Sequence, residues 1–215
     1  MNDLKNLSDS ARMDQISGSG VRITKRQLQA MKTKDKIYSA AVREINEKGF
    51  SNVSIEDITT AANVAKGTFY THFESKEALV FYTFMQSDKF YKRAYEKVKD
   101  LDFLSMVTGF VRISYIENEK RGKGILKAMI SSYFTASGYN FYSRDRFLIQ
   151  CLEMIVEQGK RQGALDGVVS THRYVDILLS TMVGVEVMWC FDNQGLGLTD
   201  IMEDAIRVTA KGMLK

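Results

Sequence analysis

Lys66, Thr68, Tyr70, Thr71, His72 and Lys76 crowd between positions 66 and 76, with Gly67 among them. Side chains of these types bond to phosphate oxygens and base edges, and a glycine without a Cβ lets backbone come close to a wall. Lys66 suits a phosphate or a guanine edge, Gly67 permits the close approach, and Thr68 reaches a base or a thymine methyl. Such contacts need a short helix whose back face is anchored. Glu56, a little upstream, has the acceptor a cytosine edge would need, although a solvated face explains it more simply.

The flanking residues supply the anchoring elements. From Thr33, the residues Ile37, Ala40, Ala41, Glu44 and Ile45 recur at helical spacing, and Lys48-Gly49 marks a helix end. Ser54 is placed to cap a second helix, with Asp57 completing a capping-box variant, while Ile55, Ile58 and Ala62 form its buried side. Asn63 falls in a tight turn, where its short polar side chain tolerates left-handed backbone. Residues 65–72 then read as a third, short helix, with Val64, Phe69 and Phe73 turned inward. Ser75 caps a long helix running to about Val98. The hydroxyls of Thr33 and Ser54, each at a predicted helix start, are further candidates for holding phosphate.

Taken together, residues 33–84 resemble the N-terminal domain of the TetR family of bacterial transcriptional repressors. The likeness is strongest in Val64-Ala-Lys-Gly-Thr-Phe-Tyr-Thr-His-Phe-Glu-Ser-Lys-Glu-Ala-Leu79. It implies an all-α fold: an N-terminal three-helix domain containing a helix-turn-helix, then a larger helical effector-binding and dimerisation domain. It also implies phosphate contacts from Tyr70, His72 and Lys76, a double-stranded DNA operator and a homodimer. The chain departs from the family pattern at Thr59 (usually Ala), Asn63 (usually Gly) and Thr71 (usually an aromatic or His that helps hold phosphate). On this reading residues 1–30 are an arm ending in basic residues and 31–80 the DNA-binding domain. Residues 81–100 are a connecting helix and 101–215 the second domain.

Composition is compatible with such a regulator and weakens other classes. The formal net charge is +4, concentrated before the second domain; Arg22, Lys25, Arg26, Lys32, Lys34 and Lys36 face a single acid, Asp35, within residues 21–36. This stretch either follows phosphates or is a solvated tail. The N-terminus has no secretory or membrane-spanning pattern and the most apolar later stretch is broken by Glu186, so a cytoplasmic protein with no membrane partner is expected. Only two histidines, His72 and His172, and two widely spaced cysteines, Cys151 and Cys190, are present, which argues against a metal site or cofactor. Gly159-Lys-Arg-Gln-Gly163 lacks the ending of a phosphate-binding loop. With no polar catalytic cluster, an enzyme is disfavoured, and the cysteines read as structural thiols unless exposure or a lowered pKa makes them redox sensors.

Beyond Leu101 the apolar periodicity predicts helices over residues 101–117, 125–136, 142–162, 171–191 and 199–213, uninterrupted by any proline. Phe103, Val107, Phe110, Met129, Tyr133, Phe134, Phe147, Cys151, Met154 and Met188 are candidates to line an effector cavity. Each taken alone is equally explained as helix core; the family resemblance is what implies a cavity. With eleven adaptable methionines and the aromatic tips of Tyr115, Tyr133, Tyr139 and Trp189, the expected effector is small and apolar or aromatic. The stripes Ile177, Thr181, Gly184, Val185 and Ile201, Ala205, Val208 resemble the family's terminal helices, which form a four-helix dimer interface. Intrachain core competes for the same residues. The expectation is therefore a repressor released from a pseudopalindromic operator by its effector; the alternative is a DNA-associated structural protein without a ligand switch.

Overall fold

The computed structural model describes residues 24–135, 143–192 and 195–215, the side chains of 133–135 excepted. The chain divides at Lys36/Ile37 into two units. Nine α-helices occur among the described residues. They are α1 (Lys25–Lys48), α2 (Ile55–Ala61), α3 (Lys66–His72), α4 (Lys76–Val98), α5 (Phe103–Arg121), α6 (Lys123–Thr135), α7 (Phe147–Arg161), α8 (Thr171–Phe191) and α9 (Leu198–Met213). The fold is all-α, with a helix-turn-helix in α2 and α3 and a larger helical bundle behind it.

The described part of the first unit opens with a cap. Thr24 Oγ1 accepts from the Gln27 amide at 3.2 Å, and Gln27 Oε1 accepts from the Thr24 amide at 2.8 Å, a reciprocal capping box. Helix α1 therefore starts eight residues before the expected Thr33. Its first turns are mostly polar, with Leu28, Ala30 and Met31 the only apolar residues, so the sustained apolar period that announces a helix does not begin until Ile37. Thr33 lies inside the helix and its hydroxyl donates to the carbonyl of Gln29 at 3.0 Å, and Lys25 to Ala30 are helical rather than part of an arm. The rest of the expected arm lies outside the described residues.

In the second unit, Ser54 caps α2 with both bonds of a capping box: Asp57 N donates to Ser54 Oγ at 3.1 Å, and Ser54 N donates to Asp57 Oδ2 at 2.9 Å. The Ser54 bonds, reinforced by Lys48, hold the Asp57 carboxyl far below the usual carboxylate range. Asn63 takes φ +47°, the left-handed conformation the α2–α3 turn demands. The inward faces of α1 to α3 meet in one cluster, including Ile37, Ile45, Ile58, Phe69 and Phe73, closed by Leu79 of α4 and by Ile125 of α6.

Helices α4 to α9 enclose a second, larger core. Asp102 and Ser170 cap α5 and α8, and α5 passes so near α7 that a Cβ on Gly159 would stand 2.6 Å from the Phe103 ring. Helix α8 is long and apolar enough by composition to cross a bilayer, although 44% of that window is buried in the fold and Glu186 is among the buried residues.

Candidate nucleic-acid interface and interior cavity

Helix α3 buries Phe69 and turns its other face outward: Lys66, Gly67, Tyr70 and Thr71 are exposed, Thr68 and His72 half-buried. Nothing lies within 4 Å of where a Gly67 Cβ would be, so its backbone is open to an approaching surface. The Tyr70 ring stands edge-on to Phe69, centroids 5.5 Å apart, and its side chain remains exposed. Thr71 Oγ1 returns to the Gly67 carbonyl at 3.0 Å. Lys66 Nζ pairs with Glu56 of α2 on an exposed face, so Glu56 is solvated but its carboxylate already holds a partner. That contact raises the lysine pKa and lowers the glutamate's.

Two expected phosphate contacts are engaged inside the protein. Lys76 Nζ donates to the carbonyls of Phe50 at 2.6 Å and Val53 at 2.8 Å, and sits 4.4 Å from the centre of the Phe50 ring. It fastens the α1–α2 connection to α4, leaving one of three ammonium donors for any other partner. Ser54 Oγ donates to Asp57 Oδ2 at 2.5 Å, which places a carboxylate beside the hydroxyl expected to hold phosphate. Thr33 belongs to the other unit, and its hydroxyl is engaged within its own helix.

Behind the reader, helices α4, α5, α6 and α8 and the start of α7 surround a cavity of about 40 Å³, room for a few water molecules. Phe84, Tyr91, Tyr115, Met129, Met182 and Ile125 line it together with Asn118, Arg121, Arg146 and Glu186. An open groove of about 390 Å³ runs along the outside of α7 and α8, and Leu179 and Val183 line both spaces. Of the residues expected to form the pocket, Met129 lines this cavity. Phe103, Val107, Phe110 and Cys151 are buried but stand in the packing around it: Phe103 against Gly159, Phe110 against Tyr91, and Cys151 Sγ toward the Tyr91 carbonyl at 3.7 Å. Phe147, Met154 and Met188 are exposed. The side chains of Tyr133 and Phe134 lie outside the described residues, as does Tyr139. Helical period tells which face of a helix is covered, and it carries no information about which covered face borders a void. What sequence reasoning missed is the cavity's polar set, although Glu186 had been visible as the one acid interrupting an apolar helix.

Glu186 is 8% exposed; its Oε1 accepts from the Tyr115 hydroxyl at 2.7 Å. Burial pushes its carboxyl up to about 7, opposed by that bond and by Arg146. Burial likewise raises the Cys151 thiol to about 12 and raises that of Cys190, so neither forms thiolate readily. A raised carboxyl pKa means that the folded state holds the proton more tightly than the unfolded chain. The stabilising contribution is complete below the unfolded value and is lost as pH rises through 7. Relative to Glu186→Gln, the wild type should lose up to about 3 kcal/mol between pH 5 and pH 8. Urea denaturation at one protein concentration measures this, and parallel pH profiles for the two proteins would contradict it.

Residues 37–83 match the family model for bacterial regulatory proteins of the tetR family. Over these residues the chain has the TetR-family N-terminal domain. An uncharacterised HTH-type transcriptional regulator of Bacillus subtilis, YvdT, is 50% identical over 46 residues, 21% of this chain and 24% of that protein. The HTH-type transcriptional repressor DhaR of Mycobacterium sp. is 62% identical over 32 residues, 15% of this chain and 16% of that protein. The matches thus span a quarter or less of these relatives. Solved structures extend the likeness, in fold alone, to the later helices. PfmR of Thermus thermophilus superposes with a TM-score of 0.64 at 22% identity, covering 83% of this chain and 99% of that one. FadR of Bacillus subtilis, in complex with stearoyl-CoA, gives 0.67 at 18%, covering 83% and 98%.

Proposed function

We propose that the protein is a sequence-specific transcriptional regulator, a repressor that binds a pseudopalindromic DNA operator as a homodimer and is released by a small effector held within the α4–α8 bundle. The observation that carries the reading is α3: a short helix anchored by Phe69 whose outer face presents Lys66, Gly67, Thr68, Tyr70 and Thr71. This is the arrangement by which a recognition helix enters a major groove, with phosphate contacts setting its position and base contacts its preference. The site of action is the cytoplasm, where the DNA is. One such helix touches too few bases to choose a site, and a two-fold pair separated by about one turn of DNA doubles the contacts.

Lys66 exchanges Glu56 for DNA on binding, so the neighbouring acid tempers the affinity of the reader for any duplex. Titration against genomic fragments should yield a tight, symmetric site. Tyr70→Phe should weaken binding by about tenfold with the sequence preference intact, as expected for a phosphate contact. Weak binding without preference by the wild-type protein would reject the specific reader, and a changed preference in the variant would reassign Tyr70 to base reading. Binding that is specific but indifferent to every ligand would favour a structural DNA-binding protein.

A further inference from the structure

Glu186 is buried, yet its carboxylate is engaged by one hydrogen bond only, from Tyr115 to Oε1. An ionised carboxylate offers about four acceptor sites, and leaving them empty in the interior is costly. Both basic side chains lining the same cavity already hold partners of their own, although Nε of Arg146 is a buried donor that makes no hydrogen bond. Arg146 binds Asp88 of α4 at 2.9 Å and lies over the Phe84 ring, while Arg121 bonds to Ser87 Oγ at 2.6 Å and Asn118 Oδ1 at 3.2 Å and lies over Phe90. The remaining titratable groups on this wall are the hydroxyls of Tyr91 and Tyr115. The open acceptor of the cavity is therefore the Glu186 carboxylate, set among aromatic rings whose faces also attract cations. The void itself holds little more than a head group, but the Leu179–Val183 wall separates it from an outer groove where Ile149 and Val175 give apolar surface and Arg144, Glu153, His172 and Asp176 form the charged rim.

We propose that Glu186 receives the protonated amine of a cationic effector whose apolar body extends past Leu179 and Val183 into the outer groove. This rests on the reading that the bundle holds an effector and specifies its chemical class. Binding of the ammonium favours the ionised carboxylate, so uptake of the amine expels whatever proton Glu186 carries at neutral pH.

The test uses the full chain and three probes with one body: 4-phenylbutylamine, 4-phenylbutanol and 4-phenylbutyrate. Affinities are measured by calorimetry and by the fluorescence of Trp189, the single tryptophan, one turn beyond Glu186. In the wild type the amine should bind at least about tenfold more tightly than the alcohol, and more tightly at pH 8 than at pH 6. Glu186→Gln, which keeps an acceptor for Tyr115, should abolish both the preference and the pH dependence; Val183→Phe, at the half-buried dividing wall, should weaken all three probes. Equal affinity for amine and alcohol, or tightest binding of the carboxylate, would overturn the cationic class; if Val183→Phe still weakened the bound probe, the effector site itself would stand. No binding by any probe at millimolar concentration, or amine binding unchanged by Val183→Phe and Glu186→Gln alike, would overturn both.

Discussion

Val208→Glu should leave the protein folded but monomeric, and should cut its affinity for a symmetric operator by about a hundredfold or more. The outer faces of α8 and α9 are apolar yet uncovered within one chain: Val208 is 72% exposed, Met188 69%, Phe191 73% and Ile177 37%. Gly184 presents open backbone on the same face of α8, and Thr181 meets Thr209 across the two helices at 3.2 Å. Contiguous apolar surface of this kind marks an association site, and burying each such side chain contributes roughly 1.5–3 kcal/mol. In a two-fold interface every substitution occurs twice, so the variant buries two carboxylates without partners, at a cost of about 3–5 kcal/mol. Val185 and Ile201, which the stripes also included, pack partly against their own core, and Ala205 is half-buried. A charge at Val185 or Ile201 would confuse folding with assembly, whereas Val208 tests assembly alone. Sedimentation and operator titration give the answer. A variant that remains dimeric and binds the operator normally would remove this face from the interface.

The contrast between the reader and the cavity follows from the distance over which each is encoded. Caps and turns are local, so Ser54 with Asp57, Asn63 and Ser75 could be placed from neighbours a few residues away, and the structure puts each where its chemistry requires. The start of α1 was equally local, in Thr24 and Gln27, but its mostly polar turns gave no sustained apolar period to direct attention there. Lys76 was expected to contact phosphate, and the carbonyls that engage it were out of view because they come from residues 23 and 26 positions earlier in the chain. The polar end of the cavity depends on still longer connections, Tyr115 to Glu186 and Asp88 to Arg146, that no helical period can reveal. Five later helices were nevertheless legible, with α8 matching its expected bounds, because the absence of proline and the recurrence of apolar residues determine helices one at a time. Which of their covered faces touch a void is settled only when all of them pack.

Asn46→Ala should uncouple effector from DNA while both still bind. Asn46, on the exposed side of α1, reaches the corner between α5 and α6. Its Oδ1 accepts from the amides of Gly124 at 2.7 Å and Ile125 at 3.2 Å, and its Nδ2 donates to the carbonyl of Arg121 at 2.5 Å. One side chain thereby satisfies the end of one helix and the start of the next. The fit requires glycine: Gly122 sits at φ +90°, and a Cβ on Gly124 would stand 2.6 Å from Asn46 Cα and from the Ile45 carbonyl, backbone that cannot turn aside. Next in line, Ile125 belongs to the reader's core and also lines the cavity, as does Arg121. On the proposed reading, a shift of α6 on ligand binding would pass to α1 through these bonds. Loss of the three bonds should cost about 2–3 kcal/mol of stability. More tellingly, if the effector weakens operator binding about tenfold in the wild type, a coupling of about 1.4 kcal/mol, the variant should retain about twofold or less. Coupling is reciprocal, so operator DNA should lose its effect on effector affinity by the same factor. Gly124→Ala, which wedges the corner away from α1 without removing Asn46, should reproduce the loss. Full coupling in both variants would show that the signal reaches the reader by another route, through α4 and its shared packing with α5 and α6.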